Sequence, residues 1–454
     1  MLTHITPDKT IFIVLSFEGP DDYSMAGGLG DRVNNLTNTI ARMGFNVHHI
    51  FIGDPEMQGT ELREGGRLAL HRWCQCISGS HRGGVYDGEE WKFVDFTKSA
   101  PLFVVQELVG RALSQGKMAV ILAEEWQTAE AMCCIHDLLH MYGWRDETVM
   151  FWNANDTYNF ERIDWEYLSR TSTITTVSDY MKQVMLKMGI NPIVIPNGIC
   201  EALLEEVDTS DVSQMRGVLN AGMVFSKVTR WRTDSGWKPV VRAILNLKNL
   251  GENCKLLAHV GVESDRQSLT RQVRSLGLAM QGIRLEGDPK EYYRRAELEE
   301  DFTPYLEAIA TGNTADIINL LFPIPYRLLR MLYRASDVVL TDSSYNPFGL
   351  AGMEAMATGA VVFSGRMADG YAKHMYNSVI LNNYSAEEIQ FYVDHLRLYP
   401  EKRDGISSSA IQTAKQWTWG KVVETLISKL ESQLRAQGRR LPSETTNLEP
   451  EKET

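Results

Sequence analysis

The feature that most constrains this chain is an apolar run of strand length, TIFIVLSF at residues 10–17, followed by helical spacing and then a second run. Val33, Leu36, Ile40 and Met43 recur on one helical face until Gly44 supplies a stop, and VHHIFIG begins at Val47. A continuous apolar run marks a strand buried on both faces, and strand, helix, strand in this order is the βαβ unit of a parallel sheet. The rhythm continues through KMAVILA (117–123), an apolar helix from Trp126 to about Met141, TVMFW (148–152), STITTVS (172–178), a helix capped by Ser178, and PIVIPNG (192–198). An acidic, helical connection over 201–220 interrupts it. It restarts with GMVFSKV (222–228), a helix from about Lys238 to Leu250, CKLLAHV, a strand near IRLEG, DVVLTDS, a helix over 349–357 and AVVFSG.

Two successive α/β domains are therefore expected, as a length of 454 residues suggests on its own. The charged helical stretch between Asp288 and Pro323 reads as an insertion on the second domain, with its charges on a solvated face. Residues 437–454, which carry four glutamates and almost no apolar residue, read as a disordered tail. A formal charge of -12 argues against a general nucleic-acid binder, while leaving room for a local basic pocket for a small anion. The N-terminus offers no signal-peptide cleavage pattern, and no stretch of 18 apolar residues occurs. Six cysteines match neither a zinc pattern nor a disulfide framework, so reduced thiols in a cytoplasmic protein are expected and no metal site, with Cys74 and Cys76 the one pair considered for a metal.

Two glycine-containing turns carry the chemistry. In AGGLGDRV, Gly27, Gly28 and Gly30 stand between the first strand and the first helix, where glycine lets backbone approach a ligand and the helix dipole favours an anion. A tight turn would explain the same glycines. The dinucleotide fingerprint is not met, because Val33 occupies the third glycine position, which argues against a nicotinamide-dependent oxidoreductase. In NPFGLAGMEAMATGA, Gly349 opens a helix and Glu354 follows one to two turns in, in reach of a ribose whose diphosphate meets the helix start at Leu350. Phe348, Leu350, Met353 and Met356 also suit a core, but a core alone does not account for the glycine and the glutamate together.

With these motifs in this order, the chain resembles the retaining glycosyltransferases of the glycogen-synthase-like and sucrose-synthase-like group (glycosyl transferases group 1). The resemblance rests on AGGLGD, AEEWQTA, TVSDYMKQVM with VIPNGI, KVTRW, ASDVVLTDSSYNPFGLAGMEAMATGA and WTWGKVVETL, together spanning about residues 10–430. It implies two facing Rossmann-like domains (the GT-B fold) with an interdomain cleft: an acceptor domain over 1–200, a donor domain over 201–412 with the insertion at about 288–323, and a final crossover helix over 413–436 packing back on the first domain. It implies a nucleotide-sugar co-substrate, a carbohydrate or small-molecule acceptor, and no cofactor or divalent metal. A pyridoxal-phosphate phosphorylase is disfavoured, as nothing resembles its lysine site; a nucleotide-sugar epimerase is the remaining GT-B alternative.

By the same resemblance Arg230 belongs to a basic pair that neutralises the leaving diphosphate, and Gly28, Gly30, Lys227, Gly349, Leu350 and Glu354 are donor-binding candidates. The partner lysine of the pair is Ser235 here. Lys238, three residues on at a helix start, is its replacement candidate, with Lys227 and Arg232 behind it. Asn346 takes the place of the first glutamate of a glutamate pair whose second member is Glu354. Its amide can hydrogen-bond sugar hydroxyls, but carries no charge to stabilise a developing cation. On the acceptor side, Glu125, Asn153 and Asn155 follow strand ends, where open parallel sheets hold ligands, and Glu125 is the candidate for orienting the acceptor hydroxyl, against the plainer reading of a helix-start carboxylate. Of Trp152, Tyr158 and Phe160, at least two are expected in the core. The departures at Ser235 and Asn346 motivate a second expectation, a glycosyltransferase-like protein without turnover that acts as a sugar or nucleotide sensor or as a scaffold.

Overall fold

The computed structural model describes residues 5–228, 236–259, 266–341, 349–365 and 370–436. The chain forms two compact units, Met1–Gly198 together with Trp419–Thr454, and Ile199–Thr418.

In the first unit the strands are β1 (Thr10–Leu15), β2 (Asn46–Ile52), β3 (Thr60–Arg63), β4 (Leu68–Trp73), β5 (Met118–Glu124), β6 (Thr148–Ala154), β7 (Thr173–Thr176) and β8 (Ile193–Val194). They join in the order β3-β4-β2-β1-β5-β6-β7-β8. Only β3 runs antiparallel, against β4. Every residue of β1 is buried, as the unbroken run TIFIVL requires, and Leu15 lies opposite Ile50 on one side and Ala123 on the other. Each such side chain removed from water contributes about 1.5–3 kcal/mol. Ser178 caps its helix as expected, its hydroxyl accepting from the Met181 N–H at 3.1 Å.

β4 forms at LALHRW, although its polar end breaks the apolar run. Arg72 is buried by pairing: its guanidinium meets the Asp21 carboxylate at 2.8 and 2.9 Å and Glu61 on β3 at 2.5 Å. Cys74 is buried, with Sγ 3.5 Å from the Lys92 carbonyl, and Cys76 is exposed.

The second unit holds β9 (Met223–Val228), β10 (Cys254–His259), β11 (Met280–Ile283), β12 (Ile317–Leu320), β13 (Val338–Leu340), β14 (Val362–Gly365) and β15 (Val379–Leu381). Their order is β11-β12-β10-β9-β13-β14-β15, and every pairing is parallel. This corrects the reading of 288–323 as an insertion. β12 lies inside that range and is an inner strand, paired to β10 and β11. The helices before it, Pro289–Glu299 and Thr303–Ala310, form the crossover, with Tyr305, Leu306 and Ile309 in one core with Leu219 and Leu328. Four residues, IINL, are too short a run to stand out beside charged helices.

The helix Trp419–Ala436 belongs to the first unit. Val422, Val423, Leu426 and Leu430 join Leu36, Ile40 and Phe45 in one apolar cluster, and Glu431 Oε1 accepts from the Ile5 N–H at 3.4 Å. Where the chain leaves this unit it passes its own return: a Cβ at Gly198 would stand 2.7 Å from Cα of Trp419. No described helix is long and apolar enough to cross a membrane.

Candidate functional site

In the first unit the polar residues gather where β1, β5 and β6 end. Arg32, on the helix Gly28–Arg42, is buried, and its Nε lies 3.1 and 3.0 Å from the two carboxylate oxygens of Glu124. A second guanidinium nitrogen donates to Asn197 Oδ1 at 2.7 Å. Glu124 closes β5 opposite Asn153 of β6, and accepts from the amides of Asn153 at 2.8 Å and Asn155 at 2.9 Å. Burying this ion pair is tolerable because the remaining oxygen lone pairs are met by amides. The effect is to fix Asn153 and Asn155 as one rigid group.

Glu125 turns the chain at the end of β5 with φ +67°, a left-handed value rare for a residue with a Cβ. Its carboxylate accepts from the Asn155 N–H at 2.6 Å, and its carbonyl from Trp152 Nε1 at 3.0 Å. Burial pushes its carboxyl up to about 8, and the charge of Asp156 adds to the rise. At neutral pH such a group holds a proton that it can exchange.

The glycine loop is occupied from within. Glu18, 4% exposed, follows β1, and its Oε2 accepts from the backbone N–H groups of Ala26 at 3.1 Å, Gly27 at 2.9 Å and Gly30 at 2.9 Å. Its Oε1 accepts from the Tyr86 hydroxyl at 2.6 Å. Burial, then the charges of Glu18, Glu125 and Glu89, hold the Tyr86 phenol well above its usual range, so it stays a donor. Of the three glycines singled out from the sequence, Gly27 and Gly30 therefore have an internal partner, and Gly28 is exposed, with open space where a Cβ would sit. Trp152 and Phe160 are buried, while Tyr158 is 63% exposed.

In the second unit, β13 leads toward the helix Leu350–Ala357. Gly349 caps it at φ +67°, and the Tyr371 hydroxyl donates to the Gly349 carbonyl at 2.6 Å. Gly352 is equally constrained, since a Cβ there would lie 2.7 Å from the same hydroxyl. Leu350 and Glu354 are half-buried. Burial, and then the charge of Glu354, raises the phenols of Tyr333 and Tyr371. Lys227, near the end of β9, is buried: Nζ lies 2.5 Å from the Thr341 carbonyl, and 5.4 and 5.7 Å from the ring centres of Trp237 and Tyr384. Lys238 is exposed in the first turn of the helix Trp237–Asn249. Arg230, Arg232, Ser235 and Asn346 lie outside the described residues.

The structure thus brings together Glu125, Asn153 and Asn155 in one unit, and Gly349, Leu350 and Glu354 on one helix start in the other. Sequence reasoning missed Glu18, Arg32, Tyr86 and Tyr371. For Glu18 a signal exists: an acidic residue just past a buried strand, shortly before a glycine loop rich in unpaired N–H groups. Tyr86 and Tyr371 come from distant chain positions and leave none.

Residues 299–413 match the family model described as glycosyl transferases group 1. Among curated proteins, a D-inositol 3-phosphate glycosyltransferase of Geodermatophilus obscurus is 28% identical over 124 residues, 27% of this chain and 27% of that protein. A second, from Thermomonospora curvata, is 26% identical over 125 residues, 27% of this chain and 29% of the relative. The chain matches little more than a quarter of the length of either relative. Over the whole fold, the catalytic domain of starch synthase IV from Arabidopsis thaliana, bound to ADP and acarbose, superimposes with a TM-score of 0.63 at 15% identity, covering 93% of this chain and 100% of that one. Sucrose-phosphate synthase from Thermosynechococcus elongatus gives 0.62 at 14% identity, covering 94% and 100%. The fold is the GT-B fold, and the resemblance to glycosyl transferases group 1 holds across the helix that carries Gly349 and Glu354.

Proposed function

We propose that this chain is a glycosyltransferase that moves a hexose from a nucleoside diphosphate to an acceptor hydroxyl with retention of configuration and without a metal. The observation that carries the reading is the start of the helix Leu350–Ala357: a left-handed glycine at its cap, a glutamate one turn inside, and its place within the family-model match. A helix start offers N–H groups and a positive dipole end to a diphosphate, and in this reading Glu354 accepts from ribose hydroxyls. Support also comes from the structural neighbours, whose recorded ligands include ADP for starch synthase IV and UDP with glucose for an Anabaena protein.

In the proposed reaction the bond from the sugar's anomeric carbon to the diphosphate breaks while the acceptor oxygen bonds to that carbon on the same face. The acceptor's proton passes to the departing phosphate oxygen. Arg230, with Lys238 as the second cation, stabilises the leaving group; one such contact is worth about 2.7–4 kcal/mol in the transition state. Glu125 orients the acceptor hydroxyl, held by the Asn155 N–H.

A thermal-shift screen of the purified protein against UDP-, ADP- and GDP-sugars tests donor binding, because a ligand at about 100 times its dissociation constant stabilises by about 2.7 kcal/mol. One nucleotide series should raise the unfolding temperature; no shift with any of them overturns the reading. A product whose anomeric configuration is inverted, read by proton NMR, would overturn retention alone.

The second reading, a sensor or scaffold without turnover, is favoured by one specific pair of residues, Ser235 and Asn346. Measuring transfer after Ser235→Lys with Asn346→Glu separates the two. A large gain from near-zero turnover supports the sensor; a loss from measurable turnover supports a site adapted to its own donor.

A further inference from the structure

We infer that Lys92 and Tyr86 are positioning residues for the glycine loop, a buried ammonium and a phenol that together fix which of the loop's N–H groups face an anion. The inference rests on the glycosyltransferase reading above and on the resemblance that makes Gly28 and Gly30 donor-binding candidates.

The ammonium carries the first part of the argument. Lys92, near the start of the helix Glu89–Phe103, is 0% exposed, and among the described residues no carboxylate pairs with it. An ammonium taken wholly out of water is costly unless its N–H groups find acceptors. Here Nζ meets the carbonyls of Gly84 at 3.0 Å, Val85 at 3.0 Å and Asp87 at 2.5 Å, and the Tyr23 hydroxyl at 2.7 Å. The three carbonyls belong to the connection 81–88, which has neither helix nor strand. Tyr23 donates in turn to the His81 carbonyl at 2.5 Å, and its own carbonyl accepts from the Val85 N–H at 3.0 Å. The buried charge therefore ties this connection to the segment just before the glycine loop. An apolar side chain of similar length would fill the space but give these oxygens no donor.

The connection delivers Tyr86. Its ring is 42% exposed and adds little to a core, yet its hydroxyl reaches inward to donate to Glu18 Oε1 at 2.6 Å. The other oxygen of that buried carboxylate takes the N–H groups of Ala26, Gly27 and Gly30. Room for the carboxylate also accounts for the glycine at 30, since a Cβ there would stand 3.0 Å from Glu18 Oε2. The N–H groups of Gly28 and Leu29, at the opening of the helix Gly28–Arg42, meet no acceptor among the described residues. Through such groups a helix start meets an anion. A carboxylate held at both oxygens thus selects the loop's outward pair, and Lys92 holds that carboxylate through Tyr86.

The test reads first the loop and then the reaction, with the full chain. Tyr86→Phe keeps the ring and deletes only its hydrogen bond, while Lys92→Ala removes the ammonium. Hydrogen exchange, at a temperature where each variant is folded, should be at least about tenfold faster at the Ala26, Gly27 and Gly30 amides of both variants, and unchanged at those of Phe12, Ile13 and Val14 in β1. Propylammonium, which replaces the end of the side chain that alanine lacks, should restore slow exchange in Lys92→Ala, and 1-propanol should not. With the nucleotide sugar that the wild type uses, Tyr86→Phe should lower kcat/KM for the donor by about tenfold and leave the acceptor KM in place. Where Lys92→Ala does not fold, Tyr86→Phe decides alone. Unchanged loop exchange in Tyr86→Phe, equal rescue by 1-propanol, or faster exchange with unchanged donor kinetics overturns the inference and leaves the transferase reading standing. A wild type that binds no nucleotide sugar overturns both.

Discussion

Glu125 is where strain, burial and charge meet in one residue, and its protonation gives a measurable signature. Its carboxyl is raised from 4.5 to about 8 in the folded chain, so the folded state binds a proton that the unfolded state has released between those values. The sign follows directly: the native state is favoured by the bound proton at low pH, and stability is lost as pH rises from about 5 to 8, at up to about 1.4 kcal/mol per pH unit. Glu125→Gln removes that slope. Thermal unfolding of both proteins across this range should show the variant gaining on the wild type as pH rises; parallel curves would mean that Glu125 is solvated. Lys227 makes a different case, a donor-binding candidate whose ammonium has partners inside the protein. The resemblance makes it a diphosphate ligand, and its ammonium lies on the Thr341 carbonyl near two rings. Lys227→Ala should therefore lower the unfolding midpoint of the second unit without any nucleotide present, by about 6–12 °C for a loss of about 3 kcal/mol. A variant with an unchanged midpoint and weakened nucleotide binding would restore the ligand role. Glu125, Asn153 and Asn155 were legible because ligand residues in parallel sheets follow strand ends. Arg32 and Glu124 were not legible as a pair, since 92 positions separate them and only the sheet brings them together.

At the scale of elements, the helix Leu350–Ala357 depends on a backbone shape that the sequence announces through Gly349. The left-handed cap costs a residue with a Cβ about 1–2 kcal/mol. The tertiary setting adds a second demand invisible in the sequence, because a Cβ at Gly349 would stand 2.8 Å from the Tyr371 hydroxyl that bonds its carbonyl. Gly349→Ala must then both adopt the strained dihedral and displace Tyr371, moving the helix start. Calorimetric titration with nucleoside diphosphate should show affinity reduced by tenfold or more. Tyr371→Phe, which removes only the hydrogen bond, should cost about 0.5–1.5 kcal/mol of stability. Equal affinity in Gly349→Ala would place the diphosphate elsewhere. Strands followed the same division between local and distant causes. Apolar runs such as TIFIVL and MAVILA were readable alone, whereas β4 required the buried Arg72–Asp21 pair, and β12 was hidden by its brevity among charged helices.

For the whole molecule, the discontinuity of the first unit is the property with the clearest consequence. Residues Ile199–Thr418 are one continuous stretch with a seven-stranded sheet, and among the described residues their apolar clusters draw on no residue outside it. The first unit is different: Val422, Val423, Leu426 and Leu430 of the last helix cover Leu36, Ile40 and Phe45. Removing that helix loses the burial of its own four side chains and uncovers Leu36, Ile40 and Phe45, at about 1.5–3 kcal/mol for each large side chain, a loss of the same size as the roughly 5–15 kcal/mol by which a domain is stable. Expressed alone, residues 199–418 should give a cooperative unfolding transition and, on the proposed function, keep the nucleotide-induced shift. Residues 1–198 alone should be insoluble or lack a transition, and should regain one when the segment 419–436 is restored through a flexible linker. A stable 1–198 fragment would show that the last helix is dispensable to the first core. A folded 199–418 fragment without any nucleotide response would show that the helix start at Gly349 is not sufficient to hold the donor.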